Sequence, residues 1–355
     1  MMYERYSLWD RLKSSDKPIV IYGTGNGADK IIDILDAREI PVAAVFASDG
    51  FVRERTFRGF KVRSYSDVLN EYGDDIVILL AFGSSLPDVC AYIAELDGKH
   101  KLIIPDVPLY GGDLFDFDYF TAHRKSLENA RFLLSDERSQ KLFDDAVNFR
   151  LTGKMKYLSD AEPIEDSLAE LFGDSKIGTV VDGGAFRGDT TALFASVLHP
   201  STVYAIEADP RTYAKLCDYA ASENNTKVIP INAALSDHDG YEEYVSSSSR
   251  GSGEAGKNKR AKVVSIVSKT VDSIVGTDTV DLIKLDIEGD EFVSLKGAAS
   301  VIERCAPSLA VSLYHRTDDL YSLIEYVHEI LPRHRLYLRR VPCIPMWDLV
   351  LYAIK

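Results

Sequence analysis

Short apolar runs and helically spaced apolar residues alternate along this chain. Residues 18–22 read as a strand. After Gly23, Gly25 and Gly27, the run ADKIIDILDAREI places its apolar residues at helical spacing. Residues 41–47, 76–81 and 101–104 read as further strands. This alternation predicts a parallel sheet with helices on both faces. Residues 1–112 are therefore expected to form a small Rossmann-like α/β domain. From 113 to 171 the pattern turns helical. Leu142, Phe143, Ala146 and Val147 share one face of a helix, and Gly153 is its expected stop. This stretch is expected to be a helical connector, either a plain bridge or a cover for a ligand of the next domain. A second alternating set fills residues 172–355. Its strands are expected at 179–182, 203–207, 227–232, 280–286 and 308–314, with 335–338 and 349–353 as a late hairpin. Residues 246–262, SSSSRGSGEAGKNKRAK, have almost nothing to bury. They read as a flexible loop, with a substrate lid as the alternative.

Composition narrows the function classes. The 355-residue length suits two domains. The net charge of −14 disfavours nucleic acid and anionic membrane as bulk partners. Cys90, Cys217, Cys305 and Cys343 stand far apart and form no zinc-like spacing, so neither a disulfide framework nor structural zinc is expected. The N-terminal residues lack an apolar signal core, and no apolar run reaches membrane-spanning length. A cytoplasmic protein is the expectation.

In an open α/β sheet, ligands bind beyond the carboxyl ends of the strands. Four polar residues fall at such ends here: Asp182, Glu207, Asp286 and His315. VVDGGAFRGDTT is a strand, a glycine turn and a helix start, and VYAIEADP is the next strand, ending in Glu207. Gly183 and Gly184 permit a tight turn with close backbone approach, and Glu207 can accept two ribose hydroxyls. Asp182 in front of the turn would repel a pyrophosphate but suit an ammonium group. S-adenosylmethionine (SAM) has a ribose, no phosphate and an amino-acid tail, so it fits better than NAD. The expected cofactor residues are Asp182, Gly183, Gly184, Ala185, Gly188, Thr190, Glu207, Ala208 and Asp237, the last near the adenine amino group; Asp209 and Pro210 could wall the adenine. Asp286 and Glu288 form D-x-E-G at a strand end. They are expected to orient a hydroxyl, take its proton, or hold a divalent cation. No metal set is assigned, because the further ligands are not visible in the sequence. Asp290 and Glu291 read as acids favouring a helix dipole.

With VVDGGAFRGDT upstream and LAVSLYHRTDDL downstream, the stretch VDLIKLDIEGDEFVSLKGA resembles the FkbM family of SAM-dependent methyltransferases, over roughly the second half of the chain. The resemblance implies a class I methyltransferase fold, whose seven-stranded sheet closes with an antiparallel hairpin. It also implies methyl transfer to oxygen, often on a sugar or polyketide hydroxyl. His315 matches the family's Y-H-x-x-D-D-L stretch. An imidazole near neutrality at that strand end would suit a general base.

The N-terminal YGTGNGADK contains G-x-G-x-x-A as Gly23, Gly25 and Ala28, with Asp49 after the next strand. It also resembles the N-terminal domain of bacterial sugar acetyltransferases of the PglD type, which bind nucleotide-sugars. A packing turn is the equal alternative. The leading expectation is a SAM-dependent O-methyltransferase acting on a sugar or glycan precursor, with a nucleotide-sugar as the partner of the first domain. The alternatives are an NAD(P)-linked oxidoreductase using the N-terminal turn, or an inactive nucleotide-sugar-binding protein.

Overall fold

The computed structural model describes residues 3–48, 50, 52, 56–108, 110–173, 175–246 and 262–355. The chain divides into two compact units, and the division is not linear in sequence. One unit comprises Met1–Glu128, Gln140–Ala161 and Val341–Asp348; the other comprises Asn129–Ser139, Glu162–Arg340 and Leu349–Lys355.

The N-terminal unit is built on β1 (Ile19–Tyr22), β2 (Ala44–Phe46), β3 (Thr56–Phe57), β4 (Phe60–Arg63), β5 (Val77–Leu80) and β6 (Lys101–Ile103). Their order is β3-β4-β2-β1-β5-β6, parallel except for the β3–β4 pair. Four strands fall where the apolar runs predict them. The β3–β4 hairpin was not foreseen, because its strands are short and half exposed. Helix Asn26–Ala37 turns Ala28, Ile31, Ile32 and Leu35 into the core with Ile21, Val45 and Leu79. Its entry explains the glycines. A Cβ on Gly27 would stand 2.5 Å from the Ala81 carbonyl oxygen, whereas one on Gly25 would meet nothing. Gly27, outside the G-x-G-x-x-A pattern, is the glycine that packing demands.

The C-terminal unit carries β7 (Thr179–Gly183), β8 (Thr202–Ile206), β9 (Lys227–Ile231), β10 (Ala234–Leu235), β11 (Gly240–Ser246), β12 (Lys262–Lys269), β13 (Leu282–Leu285), β14 (Ser308–Ser312), β15 (Arg335–Arg340) and β16 (Leu349–Ile354). Seven of these form one sheet in the order β15-β16-β14-β13-β7-β8-β9. Only the β14–β16 and β15–β16 pairs are antiparallel. This is the seven-stranded class I arrangement with its closing hairpin. β7 is central, so the glycine turn that follows it lies at the switch point where strand order reverses. β10, β12 and β11 form a separate small sheet absent from the sequence reading. The expected 246–262 loop joins β11 to β12, and its residues 247–261 lie outside the described residues.

The 113–171 stretch is helical, with helices Phe117–Leu133, Glu137–Thr152 and Ile164–Phe172. It is shared between the units. Arg339 on β15, almost fully buried, pairs with Asp136 (3.0 Å) and Glu170 (2.6 Å), and Ser139 Oγ accepts the Leu338 amide. Within the other unit, Ile104 N–H donates to Gly153 O at 2.8 Å. Among the described residues, no helix is long and apolar enough to cross a membrane.

Candidate active site

The glycine turn is organised by a pair of charges in the middle of the sheet. Asp182 on β7 stands directly opposite Lys284 on β13. The Asp182 carboxylate is fully enclosed, with Lys284 Nζ 3.1 Å from Oδ1. Thr191 Oγ1–H donates to Oδ2 at 2.7 Å. Lys284 also donates to the carbonyls of Gly183 (3.1 Å) and Gly184 (2.9 Å). Burial disfavours the lysine's charge, yet Asp182 and Asp286 outweigh it and hold the ammonium above its ordinary pKa. The sequence expectation is that Asp182 suits a ligand's ammonium group; its carboxylate is enclosed and faces Lys284 and Thr191.

The turn itself leaves no room for side chains. Gly184 has φ +72°, and a Cβ there would lie 1.9 Å from the Asp286 carbonyl oxygen. Gly184 and Ala185 both donate to Ile206 O, binding the turn to β8. Gly188 N-caps helix Asp189–Val197. Phe186 and Arg187 stand exposed at the tip, with the guanidinium 5.0 Å from the ring centre.

Glu207 follows β8 and is almost enclosed, at 8% exposure. One carboxylate oxygen accepts the Phe186 amide (3.0 Å) and the other the Asp209 amide (2.8 Å). Burial pushes its pKa up to about 7, against these two hydrogen bonds. Each oxygen keeps a lone pair for a further donor. Ala208 presents its carbonyl to Asn232 Nδ2 at 3.1 Å. Asp209 caps helix Pro210–Ser222 by accepting from Arg211 and Thr212, a structural task where the sequence reading placed an adenine wall. Asp237 lies half exposed, and its carboxylate meets His238 Nδ1 at 2.9 Å.

A second cluster forms where β13 and β14 end. The strand stops at Leu285, and Glu288 takes a left-handed φ of +64°. Despite that turn, Asp286 Oδ1 and Glu288 Oε2 stand 3.5 and 3.6 Å from His315 Nε2. The imidazole's other nitrogen, Nδ1, lies 2.9 Å from Glu291 Oε1. Glu291 Oε1 also accepts the Ile287 amide at 2.9 Å, and Tyr314 O–H donates to Asp286 at 3.0 Å. The His315 and Glu291 side chains are buried, whereas those of Asp286 and Glu288 are about one-third exposed. Burial opposes charge on His315, but Glu291, Asp286 and Glu288 prevail and push it up to about 10. Burial tends to raise Asp286, but Lys284 and His315 hold it below the usual carboxylate range. Burial beside Glu291 lifts Asp319 to about 7. The sequence expectation is a near-neutral imidazole acting as a base; here three carboxylates favour its protonated form.

Lys284 and Glu291 are the residues that sequence reasoning missed. Each carried a signal. Lys284 interrupts an apolar strand, so it must find a counter-charge on a neighbouring one. Glu291 shares a helical face with Ser294 and Leu295, all three buried, which a dipole acid would not do.

In the N-terminal unit, Tyr22, Phe46, Tyr65 and Tyr92, with Ser48 and Ser66, line a cavity of about 260 Å³ beside the ends of β1 and β2. Tyr22 stacks on Phe46 at 4.6 Å. Arg58, on the β3–β4 turn, pairs with Asp33 at 2.5 Å. Arg53, Arg55 and Asp49 lie outside the described residues.

Residues 182–339 match the family described as Methyltransferase FkbM domain. Methyltransferase FkbM from Methylobacillus flagellatus KT superposes with a TM-score of 0.67 at 21% identity, covering 97% of this chain and 92% of that one. An rRNA methylase from Streptococcus thermophilus gives 0.35 at 17% identity over 55% of this chain and 96% of its own. M. jannaschii TYW2 in complex with AdoMet gives 0.31 at 19%, over 54% and 74%. Comparison with curated proteins finds no match.

Two outcomes follow from the charges. Lys284→Met leaves Asp182 enclosed without its cation and should cost roughly 3–5 kcal/mol of stability. Urea unfolding of Lys284→Met and of the Asp182→Asn/Lys284→Met double variant checks it; the double should lose less than the two singles summed. Glu207 has a folded pKa above its unfolded value, so its stabilising contribution is complete below about pH 4.5 and is lost as pH rises toward 7. Glu207→Gln should therefore gain stability relative to wild type between pH 5 and 8, measured by thermal unfolding at each pH. A constant difference would contradict the raised pKa.

Proposed function

With residues 182–339 belonging to the FkbM methyltransferase family, we propose that the chain transfers a methyl group from SAM to a hydroxyl oxygen of a sugar or glycan precursor. The observation that carries the cofactor assignment is Glu207. It is a buried carboxylate at the end of β8, held to the glycine turn through the Phe186 amide. A pair of ribose hydroxyls donating to it would stabilise the charged form that burial disfavours. The Gly183–Gly184 backbone, bare of side chains, admits close approach beside it.

When bound, SAM supplies a methyl group activated by its own sulfonium, which leaves as a neutral thioether as the new C–O bond forms. The protein's work is alignment and charge placement. Asp286 and Glu288 are the exposed acids at the adjacent strand ends. They accept hydrogen bonds from an acceptor's hydroxyls and take the proton released on transfer. Several carboxylates in one place suit an acceptor with several hydroxyls, which supports a sugar. His315 holds the two acids from behind and acts as a positioning residue.

Isothermal titration tests the site. Glu207→Ala should weaken SAM binding by roughly 1.5–3 kcal/mol. Asp286→Asn should keep SAM affinity within a few-fold while slowing turnover by about 10²–10⁴. Unchanged SAM affinity in folded Glu207→Ala would place the cofactor elsewhere.

The partner of the N-terminal unit is a nucleotide-sugar in this reading. Support comes from the aromatic cavity of Tyr22, Phe46, Tyr65 and Tyr92. It also comes from helix Asn26–Ala37, whose N-cap is Gly25, so that no side chain caps its first amides. A side chain on Gly25 clashes with nothing within 4 Å. Gly25→Val should fold and yet lose UDP-sugar affinity at least tenfold by calorimetry. Full-length protein that ignores a panel of nucleotide-sugars would make the turn a packing device.

A further inference from the structure

We propose that Glu291 is a positioning residue of this site: its buried carboxylate grips His315 through Nδ1 and thereby turns Nε2–H toward Asp286 and Glu288. This role rests on the reading of those two acids as the acceptor's partners, and names what holds them in place. Glu291 opens helix Glu291–Lys296, where an acid commonly faces solvent and favours the helix dipole. Here the residue is 0% exposed and lies on the buried face with Ser294 and Leu295. A carboxylate removed from water is costly unless its charge and lone pairs are answered. Oε1 accepts from His315 Nδ1–H and from the Ile287 amide, each at 2.9 Å. Oε2 is enclosed and has no hydrogen-bond partner among the described residues. Among those residues the ion pair of Glu291 is with His315. The buried acid and the buried imidazole therefore answer each other's charge.

The other side of the ring shows what this grip achieves. Nε2 faces Asp286 Oδ1 at 3.5 Å and Glu288 Oε2 at 3.6 Å, both long for N–H···O bonds. The imidazolium thus attracts both acids without taking a lone pair of either, and those lone pairs stay open to hydroxyl donors. Which ring nitrogen keeps its proton is set by the partner of the other, and Glu291 is that partner. Tyr314 holds the ring from a third direction, with ring centres 4.1 Å apart and its O–H donating to Asp286 at 3.0 Å. The charged groups facing His315 are Asp286 and Glu288 from the segment after β13, Glu291 from its helix, and Asp319 from helix Asp319–Ile330. Asp319 is pushed up to about 7 by burial and by Glu291, so it is a weak counter-ion near neutral pH. Lys284 acts on Asp286, while Arg316 is engaged by Gly289 O and Asp290. Of the four acids, Glu291 is the one at hydrogen-bond distance from the ring.

Nitrogen-15 NMR of the full-length chain with labelled histidine reads the ring directly, His315 being assigned by the signals lost in His315→Gln. At about pH 8 wild-type His315 should carry a proton on both nitrogens. Glu291→Gln keeps the side-chain size and the Oε1 acceptor and removes the charge. It should lower the pH at which His315 titrates by roughly 1–3 units, the range for losing one adjacent opposite charge. Its neutral imidazole should keep the remaining proton on Nδ1. Glu288→Gln, at a part-exposed acid, should shift the titration less. A neutral His315 in the wild type at about pH 8 would overturn the proposal, whether or not the variants fold. So would equal titration in wild type and Glu291→Gln, or a larger shift from Glu288→Gln. SAM titration of the same samples separates the two readings, and Glu291→Gln should keep SAM affinity within a few-fold. SAM binding beside an unshifted His315 rejects the role of Glu291 alone, whereas wild-type protein that binds no SAM rejects the methyltransferase site.

Discussion

The buried pair of Lys284 and Asp182 is the constraint on which the C-terminal unit depends. Two charges facing each other across neighbouring parallel strands are costly to desolvate, and their pairing at 3.1 Å offsets that cost. Lys284 donates to two glycine carbonyls as well as facing Asp182. Asp182 takes Thr191 from the helix that follows the turn. Strand, turn and helix are thereby joined at one point. The same lysine lowers the pKa of Asp286 two residues further on. A single cation thus shapes the glycine turn and keeps the adjacent acid ionised.

Around this pair the carboxyl ends of β7, β8, β13 and β14 divide the chemistry. Glu207 sits in a nearly closed setting where burial raises its pKa, so added donors would be favoured there. Asp286 and Glu288 sit in a more open setting, backed by an imidazolium. One end is suited to binding a neutral polyol such as ribose. The other presents negative charge to whatever approaches it. That contrast in environment, more than the identity of any one residue, distinguishes a cofactor side from an acceptor side.

The N-terminal unit repeats the architecture with a different emphasis. Its glycine turn is shaped by packing against Ala81, and its nearby cavity is aromatic instead of acidic. Two α/β units in one chain therefore offer different chemistry at their strand ends. The fold alone does not decide what each binds.

The sequence by itself determined the strands whose apolar residues are enclosed on both faces, since such runs have no other stable setting. It also determined which polar residues end them, and so placed Asp182, Glu207, Asp286 and His315 along one edge of the sheet. The hairpins β3–β4 and β11–β12 were illegible because their strands are half exposed and carry no continuous apolar run. The division of helices between the two units was hidden too, because it rests on Arg339 and Ser139, residues that meet partners some 200 positions away. Only the tertiary structure decided the electrostatics of the site. His315 reads the same in any one-dimensional listing. Its hold on a proton is raised by Glu291, Asp286 and Glu288, because electrostatic energy follows distance in space and not separation along the chain.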